Sequence, residues 1–136
     1  MSKLPETKYQ AAEEKSYRTF EDLEVYQLAR EFRRKMYRVN QRLPDFEKFD
    51  LGSQIRRAAV SLTNNIAEGH GRFHYLDNLK FCRNARGSLN EVMDHLICSN
   101  DEMIITTEQL THLRELYLDC FKLLNGYIAF LNRKGD

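Results

Sequence analysis

Residues 106–131 read TTEQLTHLRELYLDCFKLLNGYIAFL, and the apolar residues of this segment recur in a seven-residue pattern. Thr106 and Gln109 fit a capping box, in which the two side chains cap the first turn of a helix. Heptad patterns are typical of helices in gently supercoiled bundles, so the segment predicts a bundle helix over residues 107–132. Its expected inner positions are Leu110, Leu113, Tyr117, Cys120, Leu124, Tyr127 and Leu131.

Three more segments carry apolar residues at spacings of three and four, which places them on one face of a helix. They predict helices over residues 20–43, 51–69 and 75–101. The expected inner positions are Ala29, Phe32, Met36, Val39 and Leu43 in the first, Ile55, Ala58, Ala59, Leu62 and Ile66 in the second, and Cys82, Ala85, Leu89, Val92, Met93 and Leu96 in the third.

The four predicted helices are joined by short connectors, which favour antiparallel packing of neighbours. The chain therefore predicts an all-α fold, an antiparallel up-down-up-down four-helix bundle over residues 19–133. Residues 1–18 are polar and show no sustained period, so we expect them to form a flexible N-terminal arm.

The composition is that of one globular domain without a membrane segment. Only 6 Gly and 2 Pro occur among 136 residues, which leaves room for long uninterrupted helices. No apolar run approaches the roughly 18 residues of a membrane span, and the N-terminus lacks the apolar core of a secretory signal. Three cysteines cannot all pair, so we expect reduced thiols, a cytoplasmic location and no membrane partner.

Positive charge is concentrated in the middle of the chain. Residues 30–90 have a net charge of +7, whereas residues 91–136 have −4. On the first predicted helix the arginines recur every four residues with tyrosines beside them, a combination suited to phosphates and bases, although such a row is more often a solvated face. The candidate nucleic-acid-binding residues are Arg30, Arg33, Arg34, Arg38, Arg56, Arg57, Arg72, Lys80, Arg83 and Arg86.

The third and fourth predicted helices carry more apolar residues than one inner face accounts for. A contiguous apolar surface of this kind usually marks an interface, so we predict self-association. The alternative is that the N-terminal arm covers these residues. The candidate oligomer-interface residues are Leu76, Leu79, Ile97, Leu118, Phe121, Ile128 and Phe130.

Catalytic and metal-binding patterns are weak. His70 and His74 lack further ligands nearby, and the pairs Glu91–His95 and Glu108–His112 differ from the Glu-x-x-His pairs of di-iron bundles. The three cysteines have no neighbouring base, and no Gly-rich phosphate loop occurs. We therefore predict no catalytic residues, no metal site and no cofactor.

Two segments carry a resemblance to a known family. Residues 54–69, QIRRAAVSLTNNIAEG, together with Arg72, and residues 85–91, ARGSLNE, resemble the two signatures of the four-helix-bundle family named for proteins encoded in 23S ribosomal RNA intervening sequences. The opening of the first helix, FEDLEVYQLAREF, is also similar. The sequence departs from the family at Thr63, where a proline is frequent.

The resemblance implies an up-down-up-down bundle that assembles as a ring of five. It also implies kinship with the accessory protein of diversity-generating retroelements, a basic pentamer that binds nucleic acid and works with a reverse transcriptase. The near-neutral charge of this chain departs from that relative.

Three hypotheses follow. The first is a non-catalytic homo-oligomer that binds RNA or DNA, or a nucleic-acid enzyme such as a reverse transcriptase, through its basic patches. The second is a protein-protein interaction scaffold with no nucleic-acid role. The third is a small metal-dependent enzyme.

Overall fold

The computed structural model describes residues 19–135, so the predicted arm over residues 1–18 lies outside the described part. Four long helices and one short one follow a 3-10 turn at Phe20–Asp22. The helices are α1 (Glu24–Gln41), α2 (Asp45–Lys48, a single turn), α3 (Leu51–His70), α4 (Tyr75–Asp101) and α5 (Thr107–Gly135). No strand occurs between residues 19 and 135, and the predicted all-α four-helix bundle is confirmed.

Two helix boundaries differ from the sequence prediction for local reasons. Thr19 caps the 3-10 turn and not the long helix, and Leu23 then adopts an extended conformation, so α1 begins at Glu24 and not near residue 20. At the other end of the chain, α5 continues to Gly135. Arg133 and Lys134 favour this extra turn because basic side chains interact well with the negative end of the helix dipole.

The long helices form a square in which α1 and α4 each contact both α3 and α5. Hydrogen bonds across the helix pairs join early residues of one helix to late residues of the next, which is the pattern of antiparallel neighbours. Arg33 bonds to Thr63 and Asn40 to Gly52 between α1 and α3, and Tyr117 bonds to Asn90 between α5 and α4.

The predicted inner faces of α1, α3 and α4 form the core. Every position expected there is buried except Val39, which is half-buried. Phe32, Ile66 and Leu89 are completely shielded from solvent. Burial of these side chains is the main stabilising contribution, at about 25 cal/mol per Å² of apolar surface.

The inner face of α5 departs from the strict heptad. Tyr117 and Tyr127 are only half-buried, while Ile128, expected at a subunit interface, is 5% exposed and lies in the core. An α-helix has 3.6 residues per turn, so a heptad pattern drifts by about 20° per repeat on a straight helix. By the third repeat the inward position has therefore moved from Tyr127 to Ile128.

Leu79 is the second interface prediction that the structure corrects, since only 3% of its surface is exposed. It lies beside Asn78, which contacts α5 through a hydrogen bond to Tyr127 and lies against Gly69 of α3. Neighbours on both sides therefore enclose this end of α4. The other expected interface residues are exposed (Leu76, Leu118 and Phe130) or half-buried (Ile97 and Phe121).

The α3–α4 hairpin combines small residues with polar contacts between the helices. The Ser61 and Ser88 hydroxyl groups lie 2.8 Å apart across the pair, and the Asn65 amide donates to both the carbonyl and the hydroxyl of Ser61. Gly69 faces Asn78 and Phe81 at the end of the hairpin. These contacts assign a structural role to the polar residues of the first signature.

No helix within residues 19–135 has both the length and the apolar character needed to cross a membrane.

Candidate nucleic-acid interface

A groove between α1 and α3 contains three of the predicted arginines. Arg33, Arg34, Tyr37 and Arg38 from α1 line it together with Val60 from α3. We call it the α1/α3 groove. Guanidinium groups bind phosphate oxygens with a planar array of donors, and a tyrosine ring offers a stacking surface for a base.

Arg33 is held in position by a neighbouring helix. Its Nη1 donates to the Thr63 hydroxyl at 2.8 Å, and that hydroxyl donates to the Val60 carbonyl at 3.2 Å. Thr63 is almost completely buried, so this bond is shielded from water. The threonine that stands where the family often has proline therefore orients an arginine of the groove, and α3 runs without interruption past it.

The remaining basic residues of α1 and α3 are exposed near the groove. Arg30 extends the arginine row of α1, and Arg34 lies 4.0 Å from Glu31, too far for a strong ion pair. Arg56 precedes Val60 by one helical turn and so shares its face of α3, while Arg57 projects further outward. The α1–α3 side of the bundle thus carries most of the free positive charge.

A second basic cluster surrounds Phe81 at the opposite end of α3. The Arg72 guanidinium carbon lies 4.6 Å from the Phe81 ring centre, and the Lys80 ammonium lies 5.9 Å from it. Arg72 also forms a 2.7 Å ion pair with Glu68. The carboxylate compensates part of the charge of this cluster, which is consequently a weaker anion site than the α1/α3 groove.

The basic residues of α3 and α4 do not form one patch. Arg86 points toward α5, where its Nη1 donates to the Asn125 side chain at 2.8 Å. Its role in the described structure is to join two helices on the side of α4 that faces away from α3. Arg83 is exposed on α4 without a printed partner, and Gly87 next to Arg86 has open space around it.

The cysteines differ sharply in environment. Burial raises the pKa of the Cys82 thiol to about 12, and burial together with the Asp119 carboxylate raises that of Cys120 to about 12. Cys98 is exposed. Within residues 19–135 no three side chains of His, Cys, Asp or Glu come together as a metal site.

We expect one thiol per chain to react with a disulfide reagent at pH 8 in the folded protein and three after unfolding. The two buried thiols stay protonated far above neutral pH, and only thiolates attack the reagent. The variant Cys98→Ser should show no fast reaction. Rapid labelling of a second thiol in that variant would contradict the burial of Cys82 and Cys120.

The fold and the groove define a class: a four-helix bundle whose first and third helices present a basic groove. A family model for the 23S rRNA-intervening sequence proteins matches residues 21–126. The chain therefore belongs to the 23S rRNA-intervening sequence protein family, as its two signature segments indicated. No curated protein matches the sequence.

Sequence reasoning missed three parts of this surface. It did not find Val60 in the groove, Phe81 as a platform for cations, or the buried anchor formed by Thr63. Their signal is the identity of the neighbouring helix, which the spacing of residues within one helix does not contain.

Proposed function

We propose that this protein is a non-catalytic homo-oligomer, a ring of five by kinship, that binds RNA or DNA through the α1/α3 groove. The observation that carries the proposal is the convergence of Arg33, Arg34 and Arg38 around Tyr37, with Arg33 oriented by a buried hydrogen bond to Thr63. Preorganised arginines beside an aromatic ring suit a phosphate backbone and an unstacked base.

Assembly strengthens such a site without new contacts. One groove on a protomer of net charge +1 is a weak polyanion site. A ring presents one groove for each subunit, and binding of a second groove to the same strand becomes intramolecular. This multivalency supports nucleic-acid binding by a near-neutral chain.

The test is a salt titration of the fluorescence anisotropy of labelled single-stranded RNA and DNA. We expect Arg34→Ala/Arg38→Ala to weaken binding at least about tenfold at low salt and to reduce the salt slope, because each lost phosphate contact retains about 0.7 counterions per strand. Both arginines are exposed, so the fold should persist.

The matched control is Arg114→Ala/Arg133→Ala, which removes the same charge from exposed positions of α5. It should bind almost as the parent protein does. Equal losses in both double variants would indicate a net-charge effect and not a groove. If the parent oligomer binds no nucleic acid at low salt, the groove proposal is wrong.

The alternative is an interaction scaffold for another protein. It is supported by the outer face of α5, where Leu118 is exposed beside Phe121 and the carboxylates of Glu115 and Asp119. An acidic surface of this kind repels nucleic acid and accommodates a protein partner. Absence of nucleic-acid binding by a correctly assembled oligomer would favour this function.

A further inference from the structure

We infer that two copies of this chain contact each other by inserting the turn at α2 of one copy into a groove between α1 and α5 of the next. The inference rests on the proposed homo-oligomer and names its contact. Two surfaces that sequence reasoning did not single out carry it: an exposed aromatic turn and an apolar groove with charged edges.

The first surface, the α2 tip, comprises residues 44–50. Phe46 is 76% exposed and Phe49 is 93% exposed, although both are large apolar side chains. They are three residues apart and so project from one side of a single turn. Isolated exposed apolar residues are common, but two adjacent aromatic rings on a short connector form a compact apolar projection.

The second surface, the α1/α5 groove, is open on the bundle side where α1 and α5 meet. Its floor is formed by Val39 and Leu43 of α1, Ile104 and Ile105 of the α4–α5 connector, and Leu113 and Leu116 of α5. The α1–α5 pair is the least extensively packed of the four neighbouring helix pairs. The groove is therefore an apolar concavity of the protomer surface.

The charges of the two surfaces are complementary. The α2 tip carries three carboxylates, on Asp45, Glu47 and Asp50, against the single cation Lys48. The α1 edge of the groove carries Lys35, Arg38 and Arg42, and the α5 edge carries Glu115 and Asp119 with His112 nearby. The tip carboxylates fit the α1 edge, while Lys48 fits the acidic α5 edge.

The apolar area is adequate for a stable contact. A buried aromatic side chain covers about 150–250 Å², so the two phenylalanines supply about 300–500 Å². A stable interface needs about 800 Å² from each partner, and the flanking charged residues of the tip supply the polar remainder. The tip and the groove are different surfaces, so each copy offers its tip to one neighbour and its groove to another, as rings require.

The decisive measurement is the mass in solution by light scattering at micromolar concentration. Phe46→Ser/Phe49→Ser removes the apolar tip, and Lys35→Glu/Arg42→Glu reverses one edge of the groove. All four side chains are exposed, so the bundle should fold, which circular dichroism checks. We expect each double variant to raise the dissociation constant at least about 100-fold and to sediment as the 16.1 kDa protomer.

Mixing the two variants provides the sharper result. The tip variant keeps an intact groove and the groove variant keeps an intact tip, so an equimolar mixture should form a heterodimer of twice the 16.1 kDa protomer mass. The control Phe73→Ser removes an equally exposed phenylalanine, 92% accessible, at the other end of the bundle, and should keep the parent mass.

Two outcomes overturn the contact alone: the tip variant keeps the parent oligomer mass, or the mixture remains at the protomer mass. A parent protein that is itself a 16.1 kDa particle overturns the proposed oligomer together with this contact. Nucleic-acid binding is measured separately by anisotropy, so its failure leaves the mass measurements unaffected.

Discussion

Replacing Phe32 with alanine should lower the free energy of unfolding by about 3–5 kcal/mol. Phe32 lies at the middle of α1, and none of its surface is exposed. It is among the largest fully buried side chains of the described residues, alongside Met36 on the same helix. Truncation removes its apolar contacts and leaves a cavity that the surrounding helices fill only in part.

Denaturant unfolding followed by circular dichroism measures this loss, at matched protein concentrations because assembly contributes to apparent stability. The control is Tyr37→Ala, which removes an aromatic ring that is 42% exposed from the same helix. We expect that change to cost less than about 1 kcal/mol. Similar losses in both variants would mean that α1 does not bury Phe32 as described.

The variant Gly69→Ala should lower the free energy of unfolding by about 2–3 kcal/mol, since overpacking of a tight contact costs this much. A Cβ at residue 69 would lie 2.5 Å from the Asn78 side-chain oxygen, 2.9 Å from the Phe81 Cβ and 3.1 Å from the Asn78 carbonyl. Two of these atoms belong to the backbone or to its first side-chain carbon. They move only if α3 and α4 separate.

Asn78 cannot turn aside without losing its own partners. Its amide nitrogen donates to the Tyr127 hydroxyl at 3.1 Å, and its oxygen accepts from the Cys82 thiol at 3.4 Å. Only 7% of Asn78 is exposed, so water does not replace these bonds. A clash at Gly69 therefore reaches α5 through Asn78, and leaving a buried polar group unpaired adds about 1–3 kcal/mol if the amide is displaced.

The same substitution at Gly87 and Gly126 gives the matched controls. Both glycines lie within long helices, and a Cβ at either would meet nothing within 4 Å. Alanine should stabilise these positions by about 0.5–1 kcal/mol because it restricts the unfolded chain and favours the helix. Opposite signs at Gly69 and the two controls identify the close approach of α3 and α4. A stabilising Gly69→Ala would contradict that approach.

The sequence contained enough information to predict the helices and their inner faces. Phe32, Ile66 and Leu89 were expected inside and are buried, because burial follows the 3.6-residue period of each helix. The signatures at residues 54–69 and 85–91 also gave the family that the match over residues 21–126 shows. These features depend on residues close together in the chain.

The sequence prediction was less successful for surfaces that involve two helices. Leu79 and Ile128 were expected at an interface and lie in the core, because small rotations of a helix change which residues point inward. Arg86 was grouped with other basic residues, yet its partner is Asn125, 39 positions further along the chain. Neither the rotation nor the partner can be read from spacing within one helix.

Taken alone, the sequence determined an all-α bundle, its four inner faces and its family, since helical periodicity and signature residues are local properties of the chain. Only the tertiary structure decided that Arg33, Arg34 and Arg38 share a groove with Val60, that Thr63 anchors Arg33, and that an apolar groove opens between α1 and α5. The physical reason is that a groove is formed by the separation and rotation of two helices, and these follow from the packing of all four.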